Sequence, residues 1–181
     1  KLSTHEILEQ ANTAHKESDL KLAESLYREI LKDKPTHPDA NHNLGLLLTS
    51  LNKPAEALSL FKTATQNNSI IEQYWISYIN FLIQQKNFVD AEIISKKALE
   101  FHPKSSSIYL KFGGVLYSLN KFDKALVKFK KVIELKPEFV EAYFNLGNTF
   151  LKLNRLEDAE INFKKTVKLK PNFIEAHNNL G

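Results

Sequence analysis

The stretch that decides the fold is Val140–Phe173, VEAYFNLGNTFLKLNRLEDAEINFKKTVKLKPNF, because it matches the preceding sequence when it is shifted by 34 residues. Pro, Ala, Phe and Gly each recur at that interval. A fixed period of this length is typical of proteins built by stacking one structural unit. The recurring residues are Pro35, Pro103, Pro137 and Pro171, with Ser69 in the remaining place; Ala23, Ala57, Ala91, Ala125 and Ala159; Tyr27, Phe61, Phe129 and Phe163, with Ser95 in the remaining place; and Gly45, Gly113 and Gly147, with Ala11 and Ile79 in the others.

Each unit predicts a hairpin of two α-helices. In Val140–Phe173 apolar residues recur every three or four positions, as on one face of a helix. Asn154 interrupts them, and asparagine tolerates the left-handed backbone conformation that ends a helix. A second apolar series follows and stops before Pro171, which cannot continue a helix. We expect Gly147 and Ala159 to be small because the two helices approach closely there, with Phe163 beside them.

The order of residues within a unit resembles the tetratricopeptide repeat: an aromatic residue, Leu-Gly, Ala, Phe and then Pro at that family's spacing. The resemblance implies an all-α fold, a right-handed α-solenoid of antiparallel helix hairpins in 34-residue units. The segments PEFVEAYFNLGN and PNFIEAHNNLG are also similar to repeats of O-GlcNAc transferase and related bacterial proteins. One solenoid domain is expected, with complete units at 4–37, 38–71, 72–105, 106–139 and 140–173 and a truncated sixth at 174–181.

A truncated unit would leave apolar surface uncovered. We therefore expect the parent protein to continue, and we expect that two copies of this chain could associate end to end. The sequence contains no cysteine and no apolar run long enough to span a membrane. It also has no signal-like amino terminus, since residues 1–10 already have a helical pattern. These features predict a cytoplasmic protein that does not act at a membrane.

No motif for catalysis or cofactor binding is present. The six histidines lack metal-ligand spacing, and no phosphate-binding loop or nucleophile motif occurs. Lysines are in excess beyond Ser105, mainly on the predicted second helices, but Arg28 and Arg155 are the only arginines. We interpret these lysines as a soluble outer face rather than a nucleic-acid site. The chain is therefore predicted to bind no cofactor, metal or nucleic acid and not to be an enzyme by itself.

The resemblance places the ligand in a concave groove lined by the first helix of each unit. Asn43, Asn145 and Asn179 share one repeat position, at which related repeats hold a peptide main chain with an asparagine ladder. An amide both donates and accepts hydrogen bonds, as a peptide group does. An alternative is that these asparagines only form a polar face. The candidate peptide-binding residues are Asn12, His15, His42, Asn43, Ile76, Asn80, Lys111, Tyr117, Phe144, Asn145, Asn148 and Asn179.

Two functions follow from this groove. The first is an interaction scaffold that binds an extended segment of another protein. The second is a substrate-recognition arm of a larger transferase, glycosyltransferase-like, whose catalytic part lies outside this sequence.

Overall fold

The computed structural model describes residues 2–180 and contains, over that range, eleven α-helices and no β-strand. Lys1, which the helical pattern included, and Gly181, the last residue of the truncated unit, lie outside the described residues. First and second helices alternate at 13 and 14 residues up to α10. The helices are α1 (Thr4–Lys16), α2 (Leu20–Asp33), α3 (Pro38–Ser50), α4 (Pro54–Asn67), α5 (Glu72–Gln84), α6 (Phe88–Phe101), α7 (Ser106–Ser118), α8 (Phe122–Leu135), α9 (Val140–Lys152), α10 (Leu156–Leu169) and α11 (Ile174–Leu180).

The chain forms two compact parts, residues 1–85 with α1–α5 and residues 86–181 with α6–α11. We call them the amino-terminal half and the carboxy-terminal half and describe each by itself. Within each half, helices that follow one another in sequence pack together, as hairpins and as neighbouring units. No helix in residues 2–180 is both long enough and apolar enough to cross a membrane.

The ends of the helices follow the sequence signals. Ser3 caps α1 by a reciprocal pair of hydrogen bonds with Glu6, so the helix begins at Thr4 rather than at the start of the chain. Ser105 accepts a hydrogen bond from the Ile108 N–H at the start of α7. The turn inside each unit contains a residue with positive φ, and the prediction for Asn154 is confirmed. The five residues are Ser18, Asn52, Lys86, Asn120 and Asn154, again 34 positions apart.

The unit with Ser69 keeps a hydrogen bond that is also present in units with proline at that position. The Trp75 Nε1 atom donates to the Ser69 carbonyl at 2.9 Å, and Trp75 is buried, as expected of a core residue. Different side chains at the same repeat position make the same bond in other units. The pairs are Asn41 with the Pro35 carbonyl at 2.9 Å, Tyr143 with Pro137 at 3.0 Å and His177 with Pro171 at 2.8 Å. Helix α4 ends at Asn67, the same repeat position at which the other second helices end.

The glycine positions are where paired helices pack most tightly. A Cβ atom added to Gly147 would lie 2.5 Å from the Phe163 ring, and one added to Gly113 would lie 2.4 Å from the Phe129 ring. Both phenylalanines are fully buried. The predicted close approach at Gly147 is thus confirmed. The core therefore occupies these facing surfaces, and other residues of each first helix stay half-buried or exposed.

Candidate functional site

In the amino-terminal half, two of the candidate asparagines are joined directly. The Asn43 Nδ2 atom donates to Asn12 Oδ1 at 2.8 Å, and the Tyr27 hydroxyl donates to the same oxygen at 2.9 Å. Burial of the phenol raises the pKa of Tyr27 to about 12, so it stays a donor at neutral pH. With His15 and Lys16 these residues line a cavity of about 430 Å³ on α1, α2 and α3.

His42 lies beneath this surface. Only 6 % of its surface is exposed, Nδ1 is 2.9 Å from Asn43 Oδ1, and Nε2 is 2.9 Å from Ser77 Oγ. Burial lowers the pKa of His42, which favours the neutral ring. Since the Asn43 oxygen only accepts, Nδ1 carries the proton and Nε2 accepts from the Ser77 hydroxyl. We predicted His42 as a contact for peptide; both ring nitrogens already have partners in the protein, and a contact with peptide stays a prediction.

The polar chain continues onto α5. The Gln73 Nε2 atom donates to Ser77 Oγ at 3.2 Å, so hydrogen bonds link α1, α3 and α5 through Asn12, Asn43, His42 and Ser77. On the same helix Ile76 is half-buried and Asn80 is exposed. Within residues 2–180 the Asn80 side chain has no hydrogen-bond partner. The predicted residues of this half therefore comprise a fixed group on α1 and α3 and two further residues on α5.

The carboxy-terminal half repeats the asparagine pair. The Asn179 Nδ2 atom donates to Asn148 Oδ1 at 3.1 Å, with the sequence separation of 31 residues that also joins Asn43 to Asn12. Asn145 is half-buried, and its side-chain amide has no hydrogen-bond partner in the part of the chain that the structure describes. The sequence analysis predicted all four asparagines as separate contacts, and the structure shows that Asn43 and Asn179 each pair with an asparagine of the preceding unit, Asn12 and Asn148.

The apolar candidates of this half belong partly to the core. Phe144 packs between Phe163 and Phe173, with ring centroids 5.8 and 4.8 Å apart. Tyr117 packs edge-on against Phe122 at 5.4 Å. Phe144, Tyr117 and Lys111 are each half-buried, so each keeps some surface for a ligand.

Sequence reasoning missed three supporting residues, namely Tyr27, Gln73 and Ser77. A signal for Tyr27 existed, because tyrosine stands where most other units have phenylalanine, and the added hydroxyl needs a partner when it is buried. Ser77 and Gln73 gave no such signal, since the network that they join begins in another unit. Among the described residues, no three His, Cys, Asp or Glu side chains are grouped so that they could hold a metal ion.

Successive helix pairs of constant length define a repeat protein built from helical hairpins. Family models agree with this class. Two models described as "Tetratricopeptide repeat" match residues 8–69 and 140–173, and one described as "TPR repeat" matches residues 113–154. The chain belongs to the tetratricopeptide repeat family.

Solved structures support the same fold. YrrB, "a TPR protein with an unusual peptide-binding site", matches with a TM-score of 0.82 at 20% identity, covering 95% of this chain and 89% of that one. MamA from Desulfovibrio magneticus RS-1 matches with a TM-score of 0.83 at 15% identity, covering 94% and 96%. A thermophilic TPR protein from Thermus thermophilus matches with a TM-score of 0.66 at 18% identity, covering 98% and 97%. These matches confirm the predicted all-α solenoid class. No curated protein sequence matches the chain.

Proposed function

We propose that this protein is a non-catalytic scaffold that binds an extended segment of another protein on its first helices. Tetratricopeptide repeat proteins generally act as interaction scaffolds, and YrrB, a fold relative, has a peptide-binding site. Since fold alone does not define function, the proposal depends on the side chains of the first helices.

The observation that carries the proposal is the repeated asparagine pair. In both pairs, the bond uses the oxygen of Asn12 or Asn148 and leaves the two N–H groups of that amide without a protein partner in residues 2–180. The neighbouring Asn145 amide also has no hydrogen-bond partner there, so it offers both an oxygen and N–H groups. A peptide main chain presents one carbonyl and one N–H per residue and is complementary to such amides.

Pre-organisation makes these amides suitable for binding. Tyr27 and His42 fix Asn12 and Asn43 before a ligand arrives, so less side-chain entropy is lost on binding. The exposed parts of Ile76, Tyr117 and Phe144 add apolar contacts, which main-chain hydrogen bonds alone do not provide. The residues that we propose to touch the peptide are Asn12, His15, Asn43, Ile76 and Asn80 in the amino-terminal half and Lys111, Tyr117, Phe144, Asn145, Asn148 and Asn179 in the carboxy-terminal half.

The test begins with peptides selected from a random library displayed on phage. We expect a selected peptide to shift amide resonances of α1, α3, α7 and α9 in a two-dimensional NMR titration. Replacing both Asn145 and Asn148 with Ala should weaken its binding by about tenfold or more, since each lost hydrogen bond leaves a peptide group unpaired. Asn162→Ala on α10 is the matched control and should leave the affinity unchanged. Unchanged affinity in the double variant, or a library without binders, would refute the proposal.

Three further predictions concern the wider protein. The transferase-arm alternative and the likeness to O-GlcNAc transferase repeats differ from the scaffold only in what else the parent protein contains, so its full-length reading frame distinguishes them. End-to-end self-association through residues 174–181 stays a prediction, and light scattering at high concentration tests it, because a strict monomer would exclude it. Cytoplasmic localisation stays a prediction from the sequence, to be checked by imaging the tagged protein.

A further inference from the structure

A second surface lies on the second helices of the carboxy-terminal half and does not include the first-helix candidates for peptide binding. Ile93 on α6, Val127 on α8 and Ile161 on α10 share one repeat position and are 56%, 61% and 64% exposed. Large aliphatic side chains with this exposure contribute nothing to the core. Each is followed three and four residues later by a pair of lysines, Lys96–Lys97, Lys130–Lys131 and Lys164–Lys165. We call these nine residues the aliphatic–lysine row.

The row is specific to this half. At the same repeat position the amino-terminal half has Ser25 on α2 and Ser59 on α4. The fold of the unit therefore does not require an aliphatic residue there. Residues three and four positions apart are neighbours on a helix surface, so each lysine pair lies beside its aliphatic residue.

Two adjoining cavities accompany the row on α8. One, of about 230 Å³, is lined by Val127, Lys124 and Lys128 and reaches the buried Phe112 and Leu116. The other, of about 350 Å³, is lined by Val127, Lys128, Lys130, Lys131 and Tyr109. Val127 and Lys128 line both cavities, so the two are neighbours, and we call them together the α8 groove; their lining combines apolar residues with lysines.

The lysines of the α8 groove are only partly neutralised. Lys131 pairs with Glu134 at 2.8 Å on the same helix, a surface ion pair of low expected stability. Lys124, Lys128 and Lys130 have no carboxylate partner in residues 2–180. The Lys128 Nζ atom instead lies 5.1 Å from the centroid of the Phe112 ring. A partner that brings carboxylates would therefore gain charge complementarity at these lysines.

We propose that the aliphatic–lysine row is a docking face for an acidic amphipathic helix of a partner protein. The apolar face of that helix packs on Ile93, Val127 and Ile161 and inserts a side chain into the α8 groove, while its flanking Glu or Asp side chains pair with the lysines. An anionic membrane is the competing occupant, and the vesicle measurement below separates it from a helix.

Binding is measured by fluorescence anisotropy with a labelled amphipathic peptide composed of Glu and Leu, with Leu on one helical face. Val127→Ser, which installs the residue of the amino-terminal half, should weaken binding by about tenfold because the buried aliphatic contact is lost. Val89→Ser is the matched control: Val89 is 63% exposed on α6 but lies outside the row, so affinity should not change. Lys124→Gln combined with Lys128→Gln should weaken binding and reduce its salt dependence.

Two control peptides test whether binding needs both acidic and apolar residues. The same peptide with Lys in place of Glu, and a Glu–Ser peptide without Leu, should not bind. In an NMR titration the Glu–Leu peptide should shift resonances of α6, α8 and α10 and leave those of α1 and α3 unchanged, which separates this face from the proposed first-helix site. The proposal is overturned if the Glu–Leu peptide does not bind, if Val127→Ser and Val89→Ser have equal effects, or if only phosphatidylglycerol vesicles bind.

Discussion

The two halves of the molecule share core positions and differ on their surfaces. In the amino-terminal half, hydrogen bonds from buried His42 connect first-helix residues of three units, and the second helices present serine at the repeat position of Ser25 and Ser59. In the carboxy-terminal half, the first helices carry the Asn148–Asn179 pair and the half-buried Asn145 and Phe144. The second helices of that half present Ile93, Val127 and Ile161.

This difference shows that the repeat fixes the buried residues of each unit. The residues exposed on its two outer faces can differ from one unit to another. Ala57, Ala125 and Ala159 are all fully or almost fully buried, whichever half they belong to. Stability in stacked repeats comes from such contacts within and between neighbouring units. Surface positions do not contribute to that packing and can differ between halves, which is why we place separate binding roles on them.

The prediction with the largest expected effect tests whether the paired helices pack equally tightly in both halves. Gly113→Ala should lower the free energy of unfolding by about 1–3 kcal/mol, because the new Cβ would lie 2.4 Å from the Phe129 ring. Gly45→Ala should cost less, since its Cβ would lie 3.1 Å from the Phe61 ring. Urea unfolding followed by circular dichroism measures both.

The neighbouring glycine supplies the control for this prediction. A Cβ at Gly114 would have no heavy atom within 4 Å, so Gly114→Ala should stabilise the protein by up to about 1 kcal/mol through its helix propensity. Equal stability of Gly113→Ala and Gly114→Ala would contradict the packing that we describe.

Lowering the pH should destabilise the amino-terminal half, because the buried His42 ring becomes protonated. Burial lowers the pKa of His42 and of His15, so below the ordinary histidine value of 6.5 the unfolded chain binds more protons than the folded one. The stability that the neutral histidines contribute is therefore fully present above that pH. It declines as the pH falls from 6.5 toward the lowered pKa of the folded state. The protection factors of the α3 amides, which are exchange rates corrected for the intrinsic effect of pH on amide exchange, should therefore fall over this range.

Replacing the histidine identifies the group responsible. His42→Gln should flatten the pH dependence of the α3 protection factors, because glutamine keeps a donor and an acceptor but does not titrate. His5→Gln, at an exposed position of α1, should leave the dependence intact. An unchanged pH dependence in His42→Gln would show that other groups cause it.

The smallest expected effect concerns the turns, which are alike in both halves. Lys86 has a φ of 55°, and in three other units asparagine occupies the same repeat position with a similar φ. Lys86→Asn should raise the free energy of unfolding by up to about 1 kcal/mol, because asparagine tolerates the left-handed region better. Asn120→Lys should lower it by a similar amount, and thermal unfolding measures both. A gain in both variants would disagree with this account.

Much of the fold could be predicted because its signals are local and repeated. Asn154, Ser105 and the end of α4 at Asn67 each depend on a few neighbouring residues, and the period supports the assignments several times over. The candidate site was less predictable, because its polar bonds join different units. His42 has the same polarity whether it faces a ligand or Ser77, so the sequence could not assign it to the buried network.

The sequence by itself determined the period, the helix pairs and the small residues between them, because the spacing of apolar, glycine and turn-forming residues controls local backbone geometry. Only the tertiary structure decided which polar groups are already satisfied: it joins Asn12 to Asn43 and Asn148 to Asn179, and it brings Tyr109, Phe112 and Lys128 together around the α8 groove. Hydrogen bonds and grooves between units depend on distances across the stack, and no residue pattern within one unit specifies them.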